Sequence, residues 1–302
     1  MKTEQVIRRA RELGKCIPAF NCPHIPMVKP IAQAAADENS VAMIQAARVE
    51  WEKFSAESLE RVAAEYEKYK RDGHTLLHLD HIPVIDEDYQ RVDYMELISR
   101  ALKAGYESVM IDGSRLDLAE NIKVTMEAAA LAHEAGVPIE AELGAVMGHE
   151  NKEMPPYEEL FASKMGFTRL DEAKRFARES GCDWLSVAVG NIHGQVAEAV
   201  RSQKKPKARI DIAHVEALYQ AAGIPLVLHG GSGIRHESVL EAVNAGIAKI
   251  NVGTQMRQCY EEAVRERPGD ITYAQEMVYW KVRDYIKNYL YNSDLAQQMK
   301  PD

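Results

Sequence analysis

Short runs of mostly apolar residues recur along the whole chain, and a polar residue of a kind used in catalysis follows each of them. The runs lie at 17–20, 41–44, 75–79, 108–111, 138–141, 184–189, 225–228 and 247–250. Their length and composition are typical of buried β-strands. The polar residues that follow are Asn21, Gln45, Asp80 with His81, Asp112, Glu142, Asn191 with His193, His229, and Asn251.

Stretches with apolar residues at helical spacing separate these runs. They lie at 25–38, 55–71, 92–104, 116–135, 170–180, 211–222, 235–245 and 254–266. One strand and one helix repeat about every thirty residues, the length of a βα unit. The pattern predicts a (β/α)8 TIM barrel that occupies 1–302 as one domain, with an extra C-terminal helix at about 271–290.

The predicted fold brings the polar residues together, because the active site of such a barrel lies where the C-terminal ends of its strands meet. Two connections on that face are long, at 143–169 and 194–210, and we expect them to act as lids or substrate walls. The extra helix could cap the barrel or join a subunit contact through Tyr273, Trp280 and Tyr285.

Composition and charge exclude several classes of function. The net charge of −9 disfavours nucleic acid and anionic membranes as partners, because both require a basic face. No apolar stretch has the roughly 18 residues of a membrane span, and the charged N-terminus does not resemble a signal peptide. The four cysteines lack metal-binding spacing, so we expect a reduced, cytoplasmic protein.

Three histidines, His81, His193 and His229, follow strands three, six and seven. One such histidine alone would more often be a packed or surface residue. Three at the same end of a barrel indicate a catalytic metal site, because three imidazoles with an open position are typical of catalytic Zn2+.

Acidic residues accompany the histidines. Asp80 directly precedes His81, so strand alternation would direct it to the other side of the strand end; it could act in acid–base catalysis or merely cap a turn. Asp112 and Glu142 could hold a second cation or orient the histidines, and the sequence leaves both roles open.

Two glycine-containing turns follow the last strands, as HGGSG at 229–233 and NVGT at 251–254. Glycines allow backbone amides to approach an anion closely, and each turn precedes a predicted helix N-terminus. The loops after strands seven and eight form the common phosphate site of this fold. The sequence therefore predicts a phosphate-bearing substrate.

The ordered motifs from residue 1 to about 265 resemble the class II, metal-dependent ketose-bisphosphate aldolases, the family of fructose- and tagatose-bisphosphate aldolases. The matching segments are AFN at 19–21, HLDH at 78–81, SVMIDGS at 108–114, EAELG at 140–144, GNIHG at 190–194, LVLHGGSGI at 226–234 and KINVGT at 249–254.

The resemblance implies a zinc-dependent, reversible aldol cleavage that yields dihydroxyacetone phosphate and an aldehyde through a metal-stabilised enediolate. His81, His193 and His229 would bind Zn2+, and Asp80 would exchange the proton of the aldehyde oxygen. Glu150 matches a lid glutamate that acts in the C–H proton transfer.

The resemblance also implies the remaining parts of the site. Asp112 and Glu142 match acids that bind a second cation, divalent or monovalent, in some relatives, and relatives are usually homodimers or homotetramers. The residues that would contact the sugar phosphate are Asn21, Gly194, Gly230, Gly231, Ser232, Asn251, Val252, Gly253 and Thr254.

The chain departs from the family pattern at positions that are expected to lie near the aldehyde fragment of the substrate. Ala47, followed by Arg48, stands where relatives carry a serine that contacts the phosphate of the aldehyde fragment. A nine-residue insertion, PVIDEDYQR, follows strand three, and the usual lysine after strand six is replaced by a longer basic loop. We therefore expect an aldehyde that is not simply glyceraldehyde 3-phosphate, with Arg48 pairing a carboxylate or a differently placed phosphate. The alternative is a structural Arg48 in an ordinary sugar-bisphosphate aldolase.

Two other classes are compatible with parts of the pattern. A non-catalytic, aldolase-like subunit that binds a phosphosugar or stabilises a partner should lack a metal ligand or the acid, whereas this chain has all of them. An amidohydrolase on the same barrel should have an HxH pair at the first strand, where this chain has Ala19-Phe20-Asn21.

Overall fold

A closed barrel of eight parallel strands forms the centre of the protein. The structure is a computed structural model that describes residues 2–144, 157–191, 208–231 and 234–300. The strands are β1 (Ile17–Asn21), β2 (Ala42–Ala47), β3 (Thr75–Pro83), β4 (Ser108–Asp112), β5 (Ile139–Leu143), β6 (Trp184–Val187), β7 (Leu226–Leu228) and β8 (Ile247–Val252). Each strand pairs with its neighbours in sequence, and β8 closes the barrel on β1.

Helices surround the barrel and confirm the predicted (β/α)8 fold. They are α1 (Thr3–Glu12), α2 (Val28–Asp37), α3 (Arg48–Lys53), α4 (Leu59–Tyr69), α5 (Tyr94–Ala104), α6 (Leu118–Glu134), α7 (Tyr157–Ser163), α8 (Leu170–Glu179), α9 (Ile212–Ala222), α10 (His236–Ala245), α11 (Thr254–Glu266), α12 (Ile271–Asp284) and α13 (Leu295–Gln298). A 3-10 turn at Ile25–Met27 precedes α2, and a π-helical turn at Tyr285–Tyr289 extends α12. The hydrophobic pattern predicted neither α3 nor α7.

Local sequence sets the ends of several helices. The carboxylates of Asp93 and Asp211 accept hydrogen bonds from backbone N–H groups in the first turns of α5 and α9. Gly105 and Gly223 end the same two helices in the left-handed conformation, which glycine adopts without a steric cost. Such caps contribute about 1 kcal/mol each and fix where each helix stops.

One end of the barrel is closed by apolar packing, and the other is left for the site. At the N-terminal end of the strands, Val6 and Ile7 of α1 and Leu295 of α13 pack with Ile17 and Trp184 from the barrel. All five side chains are buried. The polar strand ends therefore face the opposite opening, where substrate can enter.

The extra C-terminal helix lies against the outside of the barrel. The Tyr279 hydroxyl donates to Asp37 at 2.7 Å, and the ring of Tyr285 meets Phe20 edge-on at 5.8 Å. Tyr285 is buried, so the sequence-based expectation that it offers contact surface is wrong, whereas Trp280 is 53% exposed. No helix in the described part of the chain is long and apolar enough to cross a membrane.

Candidate active site

A cavity of about 460 Å³ opens at the carboxyl ends of the strands. Its walls combine residues from every strand except β6 with two turns and with the segment that follows β3. From the predicted site, the lining includes Asn21, Arg48, Asp80, His81, Asp112, Glu142, His229, Gly230, Gly231, Asn251, Gly253 and Thr254. Val252, also predicted, is a buried residue of β8. Residues as far apart in the chain as Asn21 and Arg257 therefore meet at one opening.

The Asp80 carboxylate is held by three amide side chains. It accepts hydrogen bonds from Asn21 at 2.9 Å and Gln45 at 3.1 Å through Oδ2, and from Asn251 at 2.9 Å through Oδ1. Burial opposes the charged form, but His81, Lys249 and other nearby cationic groups outweigh it and lower the pKa of Asp80. Asp80 is consequently an ionised, oriented carboxylate in a buried setting, which is a group that can accept a proton. Sequence analysis left Gln45 without a role.

His81 lies on the same side of the strand end as Asp80, contrary to the expectation from simple alternation. The pairing of β3 with β4 shifts between Leu79 and Ile82, and His81 has a φ of +36°. Such a bulge re-aims a side chain, and a positive φ is strained for a residue other than glycine. The irregularity brings two adjacent functional residues into one cavity.

His229 is oriented from beneath by a carboxylate. Its Nε2 is 2.7 Å from Oε1 of Glu140, and its Nδ1 is 3.2 Å from Oε2 of Glu142. Burial opposes ionisation of Glu140, but Lys249 and the hydrogen bond from His229 hold its pKa well below the usual value. An ionised carboxylate only accepts hydrogen bonds, so Nε2 carries a proton. In the neutral ring that binds metals, Nδ1 then has the lone pair.

Two overlapping groups of side chains have the donor chemistry of a metal site. Asp80, His81 and His229 place one potential ligand atom each within 4.8 Å of one another, and so do His81, Asp112 and Glu142. Mixed imidazole and carboxylate sets suit Zn2+ and related divalent ions. The residues present therefore fit a cation, and His81 belongs to both groups.

The charges around His81 support this interpretation. Burial lowers its pKa, but the Asp80 carboxylate, a hydrogen bond with Asp112 at 3.3 Å and the charge of Glu142 outweigh burial and raise the pKa to about 10. The pKa of Glu142 is raised by burial and by Asp112. A cluster of acids this deep favours a positive charge among them, which either a protonated ring or a metal ion supplies.

A second polar layer lies below the site, and sequence analysis assigned it no role. It contains His78, Glu140 and Lys249, all with no exposed surface. Lys249 donates to Oε2 of Glu140 at 2.8 Å and to Oδ1 of Asn251 at 2.7 Å. Each of the three stands two positions before a site residue, so the period of a strand places it on the same inward face. This spacing was the signal available in the sequence.

The glycine turns line the wall next to Asn21. An added Cβ at Gly231 would lie 2.9 Å from Ile250 and 3.1 Å from the backbone oxygen of Asn251, and one at Gly253 would lie 3.2 Å from Asn21. Only glycine fits at such approaches without a shift. Thr254 begins α11, a 13-residue helix, so its amino end faces the cavity. This wall can accept an anionic group.

Four predicted site residues lie outside the described parts of the chain: Glu150, His193, Gly194 and Ser232. The basic stretch with Lys204, Lys205 and Lys207 lies outside them as well. Arg209 is described, and its guanidinium pairs with Glu158 at 2.8 Å and lies over the ring of Phe161.

Arg48 and the segment 83–91, which depart from the family pattern, form part of the cavity wall. Arg48 lines the cavity, but Glu52 at 2.8 Å and Asp86 at 3.4 Å already hold its guanidinium. Asp86 belongs to the insertion, which folds back through a bridge between Ile85 and Arg91. The segment 83–91 therefore forms part of the cavity wall that also contains Asp80, and the pair between Arg48 and Asp86 joins it to α3.

Comparison with known proteins agrees with this geometry. The family model described as fructose-bisphosphate aldolase class-II matches residues 1–295. The crystal structure of the YdjI aldolase from Escherichia coli K12 is 28% identical and superposes with a TM-score of 0.74, with 96% of each chain covered.

Two more distant structures share the fold. A putative fructose-1,6-bisphosphate aldolase from Coccidioides immitis is 23% identical over 98% of each chain, with a TM-score of 0.77. The fructose-bisphosphate aldolase of Campylobacter jejuni is 16% identical over 97% of this chain and 96% of its own, with a TM-score of 0.72. The family match over nearly the whole length shows that this chain belongs to the class II fructose-bisphosphate aldolases, a family of generally metal-dependent carbon–carbon lyases.

Proposed function

We propose that the protein catalyses the reversible, zinc-dependent aldol cleavage of a ketose phosphate or bisphosphate to dihydroxyacetone phosphate and an aldehyde. The observation that carries the proposal is the convergence of Asp80, His81 and His229 within 4.8 Å. They lie beside two glycine turns in one cavity. Such a site combines a proton-transfer group, cation ligands and an anion-binding wall.

Each group has a proposed part in the reaction. His81 and His229, with His193 from outside the described residues, would hold Zn2+, which supplies Lewis-acid polarisation of the ketone carbonyl when bound. Asp80 takes the proton from the hydroxyl whose oxygen becomes the aldehyde, and returns it in the condensation direction. Asn21, Gln45 and Asn251 hold its carboxylate in one orientation for this transfer.

The remaining assignments combine the geometry of the described residues with the family resemblance. Gly230, Gly231, Gly253 and Thr254, with Ser232 and Gly194, would bind the phosphate of the ketone fragment, and Glu150 would assist the C–H proton transfer. Asp112 and Glu142 form the second candidate cation site with His81. We propose a cytoplasmic homodimer or homotetramer whose aldehyde fragment is not simply glyceraldehyde 3-phosphate.

An assay of dihydroxyacetone phosphate release from fructose and tagatose 1,6-bisphosphates and 1-phosphates tests the proposal. We expect turnover that EDTA abolishes and that added Zn2+ restores. Turnover that is insensitive to complete metal removal would exclude the metal-dependent mechanism. Absence of release and of condensation with every aldehyde, by folded zinc-loaded protein, would exclude the reaction itself.

A further inference from the structure

A buried acid that no part of the proposed reaction uses lines the substrate cavity. Glu50 is the third residue of α3, and only 5% of its surface is exposed. The helix begins where β2 ends, so Glu50 turns back toward the strand ends. Its Oε2 accepts a hydrogen bond from the backbone N–H of Ala47 at 3.0 Å.

The side chain of Asn21 connects Glu50 to the proposed reaction centre. This amide donates to Asp80 at 2.9 Å and also hydrogen-bonds to Glu50. Because Asp80 serves the oxygen that becomes the aldehyde, the region around Glu50 faces the aldehyde fragment rather than the ketone fragment. The glycine turns, which suit the ketone phosphate, line the same cavity, and Gly253 approaches Asn21 closely.

The charge of His81 favours the ionised form of Glu50, but its effect is smaller than that of burial. The neighbouring Arg48 does not compensate Glu50, because Glu52 and Asp86 hold its guanidinium. Burial, with the charge of Asp80, raises the pKa of Glu50 to about 8, against smaller lowering by its hydrogen bonds and by the charge of His81. At neutral pH the group is therefore mostly an uncharged acid with one O–H to donate.

This part of the cavity is poorly suited to a phosphate group. The residue at position 47 is an alanine without a hydroxyl, and its backbone N–H is already taken by Glu50. Of the other two cavity arginines, Arg257 pairs with Glu261 at 2.8 Å, and the guanidinium of Arg115 lies over the ring of Tyr89. A phosphate here would meet few available donors and an acid that becomes a like charge when it ionises.

We propose that Glu50 selects an aldehyde fragment that carries an uncharged hydroxyl group, rather than a phosphate, beside the ends of β1 and β2. The carboxyl group exchanges hydrogen bonds with that hydroxyl, to which it can donate and from which it can accept. The inference rests on the proposed aldol reaction and adds that the aldehyde substrate carries an uncharged hydroxyl group at this position. Glu50 is then a specificity-determining residue.

The test measures kcat/KM in the condensation direction for D-glyceraldehyde and D-glyceraldehyde 3-phosphate, with dihydroxyacetone phosphate and zinc-loaded enzyme. We expect the wild-type protein to use glyceraldehyde at least as well as its phosphate. Glu50→Ala should lower kcat/KM for glyceraldehyde about tenfold, the effect of one lost hydrogen bond, with little effect on the phosphate. The ratio of the two values is independent of the folded fraction, because both come from one preparation.

Two further variants separate specificity from folding. Glu50→Gln keeps an acceptor for the Ala47 N–H and a donor for the substrate, so its ratio should stay within about threefold of wild type. Glu107→Gln is the matched control. Its carboxylate also accepts a backbone N–H, from Leu77 at 2.9 Å, but it does not line the cavity.

The possible outcomes separate a failure of the role proposed for Glu50 from a failure of the proposed aldol reaction. A wild-type preference for the phosphorylated aldehyde of tenfold or more would overturn the role of Glu50 while leaving the aldol reaction intact. Equal losses with both aldehydes in Glu50→Ala would also overturn it, because they indicate a structural role. Absence of condensation with either aldehyde and of all cleavage would instead reject the proposed function.

Discussion

Lys249 and Glu140 form an ion pair at 2.8 Å in the interior of the barrel, with no exposed surface on either side chain. The same carboxylate contacts Nε2 of His229 at 2.7 Å, and the same ammonium group donates to Asn251 at 2.7 Å. Asn251 in turn donates to Asp80. One buried pair thus supports both a candidate metal ligand and the candidate acid–base residue.

Glu140→Gln tests the support of His229. An amide can present N–H groups to Nε2, which removes the constraint on the ring that leaves Nδ1 for the metal. We expect zinc affinity to fall about 10- to 100-fold, as when such outer partners of metal ligands are changed. Chelator competition on the purified protein measures the dissociation constant without relying on activity.

The same substitution leaves Lys249 buried without its counter-charge, which should lower the free energy of unfolding by about 3–5 kcal/mol. Glu140→Gln with Lys249→Met removes the unpaired charge, so stability should recover while zinc affinity stays low. Trp184→Phe is the control, because it removes a 2.8 Å hydrogen bond to the same carboxylate without touching His229. Unchanged zinc affinity in both Glu140 variants would contradict the role of the pair.

Asp80→Asn tests the proton transfer. An amide retains much of the shape but cannot take the hydroxyl proton, so kcat for cleavage should fall about 10²- to 10⁴-fold. Circular dichroism and a metal titration establish whether fold and zinc binding persist. Asp183→Asn removes a carboxylate that accepts a hydrogen bond from Ile139 at the other end of the barrel. It should leave kcat near wild type, and equal losses in both variants would argue against a chemical role for Asp80.

The fold was largely predictable from the sequence, because one hydrophobic pattern determines both the strands and their order in the barrel. Eight apolar runs separated by helical stretches leave few alternatives to parallel pairing. The polar residues at the strand ends were visible for the same reason, and those after every strand except β6 line the cavity or contact residues that do. Helix α3 escaped detection because it is short and mostly polar, and it carries Arg48 and Glu50.

Side-chain partnerships were harder to predict, because they depend on distances across the barrel. Sequence analysis left Arg48 either a substrate-binding or a structural role, and its pairing with Asp86 depends on how the segment 83–91 folds. The direction of His81 depends on a bulge and a positive φ, which strand alternation does not reveal. Polar and charged residues inside apolar strands can therefore indicate a site as well as those at the strand ends do, as for His78, Glu140 and Lys249.

Gly231→Ala tests the anion-binding wall. The new Cβ would lie 2.9 Å from Ile250 and 3.1 Å from a backbone oxygen, so the turn has to shift. A shift of this kind should raise KM for the ketose phosphate about tenfold or more, because sub-ångström positioning of the bound group is lost. Gly223→Ala is a control that does not line the cavity: no atom lies within 4 Å of its Cβ position, and its cost comes from the left-handed backbone instead. A similar KM in both variants would indicate that the phosphate binds elsewhere.

The stability of the metal-free protein should depend on pH through Glu50. Its pKa is raised to about 8 in the folded protein by burial, whereas in the unfolded chain it titrates near the ordinary value of about 4.3. Between these values the folded state binds one more proton than the unfolded state. Stability should therefore decline as pH rises through this window, by up to about 1.4 kcal/mol per pH unit, and level off above it.

Glu50→Gln cannot ionise, so its free energy of unfolding should lack this component. Urea unfolding of both proteins in EDTA at pH 5, 6, 7 and 8 gives the difference directly, because every other titrating group is common to the two. We expect the variant to gain stability relative to wild type as pH rises toward 8. A difference that stays constant with pH would show that Glu50 is ionised in the folded protein. The charge of His81, which favours the ionised form of Glu50, would then outweigh the effect of burial.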